Sequence, residues 1–243
     1  MADGTRSGSS GLVPSKTTLT GGKVVGVVSP ANTHRARLKR MRRTVINSAR
    51  CHIRQRRGFR DRWLMVTTTY ADDQQWAVSD VRDFLQRVRM FFKRRGWPLS
   101  YVWVLELTKR GRPHYHVLLR LGVNQRIPNP DDCGWWQKGS TNVEPCRNAV
   151  GYVAKYASKG GDREDFPKGA RIHGAAGLNT DSRIEVAFWN LPVWVRERIT
   201  EMQRLIRIAG GFVVPSTGEF LPTPYEVISK GGHMLIILKE QQP

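Results

Sequence analysis

The residues with the clearest capacity for chemistry lie in two short segments: Arg112-Pro113-His114-Tyr115-His116-Val117-Leu118-Leu119 and Gly151-Tyr152-Val153-Ala154-Lys155-Tyr156-Ala157-Ser158-Lys159. Side chains of a β-strand alternate between its faces, so His114 and His116, one residue apart, share a face and can share one cation. In the second segment two tyrosines stand four residues apart, the spacing that places them on one face of a helix, and each is followed three positions later by a lysine. Tyr152 with Lys155 and Tyr156 with Lys159 are therefore overlapping copies of one Tyr-x-x-Lys pattern. A free phenol has a pKa of about 10 and attacks poorly at neutral pH, so it needs a nearby cation or base. Lys155 and Lys159 are placed to touch the same phosphate or to stabilise a phenolate. A cation site beside such a helix predicts phosphodiester chemistry through a covalent tyrosine ester. Either tyrosine or both fit the nucleophile's role, with Tyr156 favoured if only one acts.

The elements that must position these groups can be read from hydrophobic period and turn residues. Residues 63–70 form an apolar run ending in Thr67, Thr68 and Thr69, which reads as a strand. A helix follows from Ser79 or Asp80 to Arg95, with Val81, Phe84, Leu85, Val88, Phe91 and Phe92 at intervals of three and four, stopped by Gly96 and Pro98. Residues 101–108 and 114–121 read as the two strands of a hairpin joined by 109–113. A turn centred on Arg110 or Gly111 sets Glu106 opposite His114 or His116, and an even register sum puts all three on one sheet face. Glu106 is therefore the third candidate ligand. After a loop through Pro128, Pro130 and Gly134, a short strand near 141–144 leads into a helix from 147 to 159, ended by Gly160 and Gly161. Beyond a loop at 162–181, a strand is expected at 183–188, an amphipathic helix from Pro192 to Ala209, and a late strand at 234–238. Residues 23–28 could add an edge strand. The expected class is α+β, a central antiparallel β-sheet with flanking helices and the tyrosine helix crossing near the hairpin. The expected organisation is a flexible tail (1–33), a basic arm (34–62), a catalytic domain (63–209) and a C-terminal extension (210–243).

The strand ending in threonines, the His-x-His hairpin and the doubled Tyr-x-x-Lys, in that order, resemble the HUH endonucleases. Within them they resemble the rolling-circle replication initiators (Rep proteins) of small phages and plasmids. The two tyrosines are most similar to the bacteriophage gene A protein class and to filamentous-phage and plasmid initiators. The resemblance spans residues 63–159. It implies a Rep-like fold and a divalent cation, Mg²⁺ or Mn²⁺, held by Glu106, His114 and His116. It also implies cleavage to a 5′-phosphotyrosine with a free 3′-hydroxyl that primes synthesis. Two working tyrosines would let one hold the parental end while the other cuts the regenerated origin. Relaxases place the tyrosine before the histidines, the reverse of this order, whereas a single-strand transposase shares the catalytic layout and is the nearest alternative. The implied partner is single-stranded or supercoiled origin DNA. No Gly-x-x-x-x-Gly-Lys-Ser/Thr loop is present in the sequence, so a host helicase acting in trans is expected to unwind it.

Composition agrees. With 40 Lys+Arg against 20 Asp+Glu, a net charge of +20 attracts polyanions. The run from 35 to 62 holds Arg35, Arg37, Lys39, Arg40, Arg42, Arg43, Arg54, Arg56 and Arg57 against a single acid, Asp61, and is expected to contact phosphates. Arg112, Lys168 and Arg171 are further expected DNA contacts. A non-catalytic nucleic-acid-binding protein would share this charge but leave the repeated Tyr-x-x-Lys and the placement of Glu106 without a reason. Trp103, Trp135 and Trp136 are candidates for stacking on bases, with core packing the commoner role. Cys51, Cys133 and Cys146 are odd in number and lack a Cys-x-x-Cys spacing, which indicates reduced thiols. No run of apolar residues reaches membrane-spanning length and the first residues lack a signal-peptide core, so the expected location is the cytoplasm.

Overall fold

The computed structural model describes residues 18–19, 22–55, 60–158 and 166–239. In chain order the elements are β1 (Thr18–Leu19), β2 (Gly22–Val28), α1 (Pro30–Gln55), β3 (Asp61–Thr69), α2 (Asp80–Arg94), β4 (Ser100–Leu107), β5 (Pro113–Gly122), β6 (Thr141–Cys146) and α3 (Ala149–Ser158). There follow β7 (His173–Ala176), α4 (Thr180–Trp189), α5 (Val193–Arg196), β8 (Ile206–Ile208), β9 (Gly211–Val213), β10 (Phe220–Pro222), β11 (Tyr225–Lys230) and β12 (His233–Leu238). The class is α+β. A five-stranded antiparallel sheet of order β6-β3-β5-β4-β7 is covered by helices on both faces.

Strand alternation divides the core in two. Tyr101, Trp103 and Leu105 of β4 and Tyr115, Val117 and Leu119 of β5 point to one face, where Phe84, Val88 and Phe92 of α2 and the neighbouring Trp135 and Trp136 are buried with them. Trp136 sits at the centre of that layer, edge-on to Tyr70, Phe84 and Tyr115, and its indole N–H donates to the carbonyl of Thr69 (3.0 Å). Trp103, Trp135 and Trp136 are at most 9% exposed, so they are core residues and not stacking platforms. The opposite face carries Met65, Val102, Val104, Leu118 and the candidate ligands, and is covered by α1 and α3.

The β4–β5 hairpin fixes the register that matters for the site. Gly111 adopts φ +77° in the turn, its N–H donates to the Thr108 carbonyl (2.9 Å), and the Arg112 N–H donates to the Thr108 hydroxyl (3.0 Å). Only glycine takes that left-handed conformation without cost, and a glycine-closed turn of this kind sets the pairing that follows. Glu106 lies opposite His114 and Val104 opposite His116. Glu106, His114 and His116 therefore share one face, the arrangement that an even register sum requires.

The basic segment expected as an arm is, over residues 34–55, part of α1. Leu38, Met41, Val45 and Ala49 recur at intervals of three and four and are buried against the sheet, leaving the arginines on the outer side. The apolar stripe is narrow and its last members are small, so the charge run hides the helix period. At its far end α1 is tied to the sheet by Arg120 of β5. This buried guanidinium pairs with Asp61 and donates to the carbonyl of His52 (3.2 Å).

Elsewhere the structure corrects several expectations. Residues 183–188 are helical, within α4: Asn179 caps it by accepting from the Ser182 N–H (2.9 Å), and the buried Ser182 and Val186 are four apart. The helix expected from 192 to 209 is only α5, after which the chain turns into the three-stranded sheet β10-β9-β8. Val195, Val214 and Leu221 form a small separate core there. The loop expected at 162–181 contains β7, the edge strand of the main sheet. Residues 22–28, placed in the tail, are not an edge strand: in the order β1-β2-β12-β11 they lie between β1 and the late strand β12, so residues near the two ends of the chain pair.

His52 gives this fold a pH dependence. It is fully buried on α1, 6.1 Å ring to ring from Trp63, and burial, with Arg120 second, lowers its pKa from 6.5 to about 4. The folded protein thus resists protonation that the unfolded chain accepts, so stability is complete above pH 6.5 and falls as the pH drops towards 4. His173, buried beside Arg171, Arg40 and Arg37, is lowered to about 4 in the same sense. Urea unfolding at pH 7 and 4.5 is expected to show a loss of roughly 2.5 kcal/mol from His52. A His52→Phe variant should lack that part of the loss; an equal loss in the variant would disprove the assignment.

Candidate active site

The site is assembled from β3, β4, β5 and α3. Ala149, Val153 and Ala157, each four residues apart, bury one stripe of α3 against the core, which leaves Tyr152 and Tyr156 half-buried on the adjoining stripe. From there the Tyr156 ring lies flat on His116, with centroids 3.6 Å apart and planes 17° from parallel. Tyr152 is one turn away, 6.5 Å from Tyr156. Lys155 is exposed, and its Nζ lies 5.5 Å from the centre of the Tyr156 ring. Lys159 lies outside the described residues.

His116 is 4% exposed and engaged at both ring nitrogens. With the proton on Nε2, that N–H donates to Glu106 Oε2 (2.6 Å) and Nδ1 accepts from the Thr67 hydroxyl (3.0 Å). Thr67 is directly opposite His116 across the β3–β5 ladder, which is why its hydroxyl reaches the ring. The threonine run therefore holds an imidazole in place, a role that strand propensity alone did not reveal. Thr68, on the other face, is fully buried and its Oγ1 accepts from the Tyr115 N–H (3.4 Å).

The electrostatics oppose ionisation of the nucleophile. Burial first, then the charges of Glu106 and Glu144, push the Tyr156 phenol above its ordinary value. A positive charge in the pocket acts against both causes. The donor set suits a divalent first-row ion: two imidazoles and one carboxylate on one sheet face, with His116 and Glu106 already in contact and His114 paired opposite Glu106. Glu106 and His116 satisfy one another directly, and among the described residues no group of three or more His, Cys, Asp or Glu side chains encloses a common point.

The expected DNA contacts divide into bonded and open groups. Arg37 donates to the Ala170 carbonyl, Arg43 to the Trp189 carbonyl (2.9 Å), and Arg171 to the His173 carbonyl (3.1 Å). Arg54 is paired with Glu185, and Arg112 with Asp72, which anchors the hairpin turn to the loop after β3. Arg35, Lys39, Arg40 and Arg42 are exposed on α1, and Lys168 is exposed in a turn. Arg56 and Arg57 lie outside the described residues. Cys51 and Cys146 are buried and Cys133 exposed, and burial raises all three thiols, so none is primed as a thiolate. Among the described residues no helix is long and apolar enough to cross a membrane.

Residues 63–161 match the model of a family described as Replication-associated protein ORF2. The matched stretch holds Thr67, Glu106, His114, His116, Tyr152, Lys155 and Tyr156, and so contains the whole cluster. This part of the chain is thereby similar to replication-associated proteins. No curated protein and no solved structure matches the chain.

Proposed function

We propose that the protein initiates rolling-circle replication by nicking and rejoining single-stranded origin DNA through a tyrosine ester, with Tyr156 as the first nucleophile. One observation carries this reading: the His116 ring lies between the Glu106 carboxylate and the flat face of Tyr156, which joins the candidate cation site to the candidate nucleophile. The similarity of residues 63–161 to replication-associated proteins supports the same reading.

In this scheme Tyr156 Oη forms a bond to phosphorus as the P–O3′ bond breaks. The products are a 5′-phosphotyrosine and a 3′-hydroxyl, which takes up a proton. The phosphodiester linkage is exchanged and not hydrolysed, so the same groups run the reverse, rejoining step without an external energy source. Glu106, His114 and His116 would hold Mg²⁺ or Mn²⁺, which neutralises charge developing on the scissile phosphate. Thr67 holds His116 in orientation, and Lys155 adds positive charge near the phenol. Tyr152, one turn away, is placed to accept the second strand. Unwinding falls to a host helicase.

The reading is tested by incubating the protein with circular single-stranded phage-type DNA and Mn²⁺, with and without chelator, and separating the products under denaturing conditions. A protein–DNA species that survives denaturation and disappears with chelator is expected. DNA binding without such a species, across several origin-like sequences and metals, would leave a binding protein in its place.

A further inference from the structure

The outer side of α1 carries a feature that the tyrosine site does not use. Two adjoining hollows, of about 600 and 540 Å³, run along it and share Arg43. The helix side is lined by Lys39, Arg40, Arg43, Arg50 and Arg54, which recur at helical spacing and are all exposed. The far wall comes from α4 and from the segment leading into β8, which adds the exposed Arg204 and Arg207. Among the described residues Glu185, bonded to Arg54, is the one carboxylate lining either hollow. Arg204 and Arg207 are far from α1 in sequence and were expected inside a helix, so their arrival here is a product of the fold.

We propose that this groove binds the sugar–phosphate backbone of double-stranded DNA beside the strand being cut. The inference rests on the reading that the protein acts on DNA. From position 36 to 54 the helix side of the groove is about 27 Å long, at 1.5 Å per residue. Phosphates along one strand of a duplex are about 3.4 Å apart, so the groove spans about eight of them, close to its count of cations. Single-strand sites combine such charges with exposed aromatic platforms. Here the bordering rings are already engaged: Arg196 lies over Trp189 (5.2 Å), which also meets Phe188 edge-on, and Phe212 packs against Trp194. The groove offers charge and no free ring among the described residues, which suits backbone contacts that position a duplex without reading its sequence. Its Arg40 end also borders the catalytic face. Arg40 lies within electrostatic reach of His173, which occupies the same sheet row as Val104 and His116, about 10 Å from His116 by strand spacing.

The test compares the wild-type chain with Arg50→Ala/Arg204→Ala/Arg207→Ala and with the corresponding triple lysine variant. Fluorescence anisotropy is read on a roughly 20-base-pair duplex and a single strand of the same length, from about 0.05 to about 0.5 M salt, the range over which phosphate contacts are released. Losing three duplex phosphate contacts is expected to flatten log K against log [salt] by about 2.7, or about 500-fold in affinity for each tenfold change in salt. The lysine variant is expected to keep most of the slope and the single strand to lose less than the duplex. An unchanged duplex slope in the alanine variant, a lysine variant that falls as far, or an equal loss on both DNAs would overturn the groove. The covalent species formed on a short single strand, measured on the same preparations, reads the tyrosine site separately. Its absence beside a normal duplex slope would sink the nicking reading and leave the groove standing.

Discussion

Replacing Tyr156 by phenylalanine is expected to lower formation of the covalent protein–DNA species by roughly 10³-fold or more, the scale on which loss of a nucleophile is felt. Tyr152→Phe should cost less in the first cleavage and more in the rejoining of a regenerated origin. The asymmetry comes from placement. Tyr156 stacks on His116 at 3.6 Å, whereas Tyr152 is a turn away and contacts the cluster through Tyr156. Phenylalanine preserves the stacking ring and removes only the oxygen, so a folded but inactive variant is the expected product. Equal first-cleavage rates for Tyr156→Phe and the wild-type protein would reassign the nucleophile. The raised pKa of Tyr156 has a corollary for metal dependence. Burial, Glu106 and Glu144 hold the phenol protonated without a compensating cation, so cleavage should be steeply dependent on added metal.

Glu106→Ala is the second large effect. It removes the carboxylate that accepts from His116 and the one oxygen donor of the proposed cation site. Loss of several kcal/mol of charge stabilisation at the phosphate corresponds to about 10³-fold slower cleavage. Glu106 also raises the Tyr156 pKa, so its removal in the metal-free protein makes the phenol easier to ionise. The two roles have opposite signs, and the experiment separates them. If the carboxylate acts as a ligand, cleavage falls and calorimetric Mn²⁺ affinity falls with it. If it acts only through the phenol, cleavage holds or rises while metal affinity is unchanged. Cleavage and Mn²⁺ binding at the wild-type level in Glu106→Ala would remove it from the site.

What the sequence disclosed about this site followed from short-range rules. The period of two placed His114 and His116 together, and a glycine-centred turn fixed Glu106 opposite His114; both are local constraints that survive folding unchanged. The α3 stripe of Ala149, Val153 and Ala157 likewise dictates where the tyrosines point. What stayed hidden was set by distant packing. The stacking of Tyr156 on His116 joins residues forty positions apart, and the bond from Thr67 to His116 exists only because β3 and β5 pair in that register. In α1 the long arginine run outweighed a thin stripe of Leu38, Met41, Val45 and Ala49, so an amphipathic helix read as a charged arm. In α4 the alternation of Ile184, Val186 and Phe188 imitated a strand, while the decisive signal was the Asn179 cap. The C-terminal strands are short and mostly exposed, and their apolar residues offered no clear period.

The most direct measurement is the site of covalent attachment. After reaction with a single-stranded origin substrate and Mn²⁺, nuclease and protease digestion followed by mass spectrometry identifies the residue that carries the nucleotide. The account predicts a nucleotide joined by its 5′-phosphate to Tyr156, with a second population on Tyr152 once strand transfer begins. A nucleotide found on a serine or any residue outside α3, or DNA that is cut with no residue modified, would contradict it.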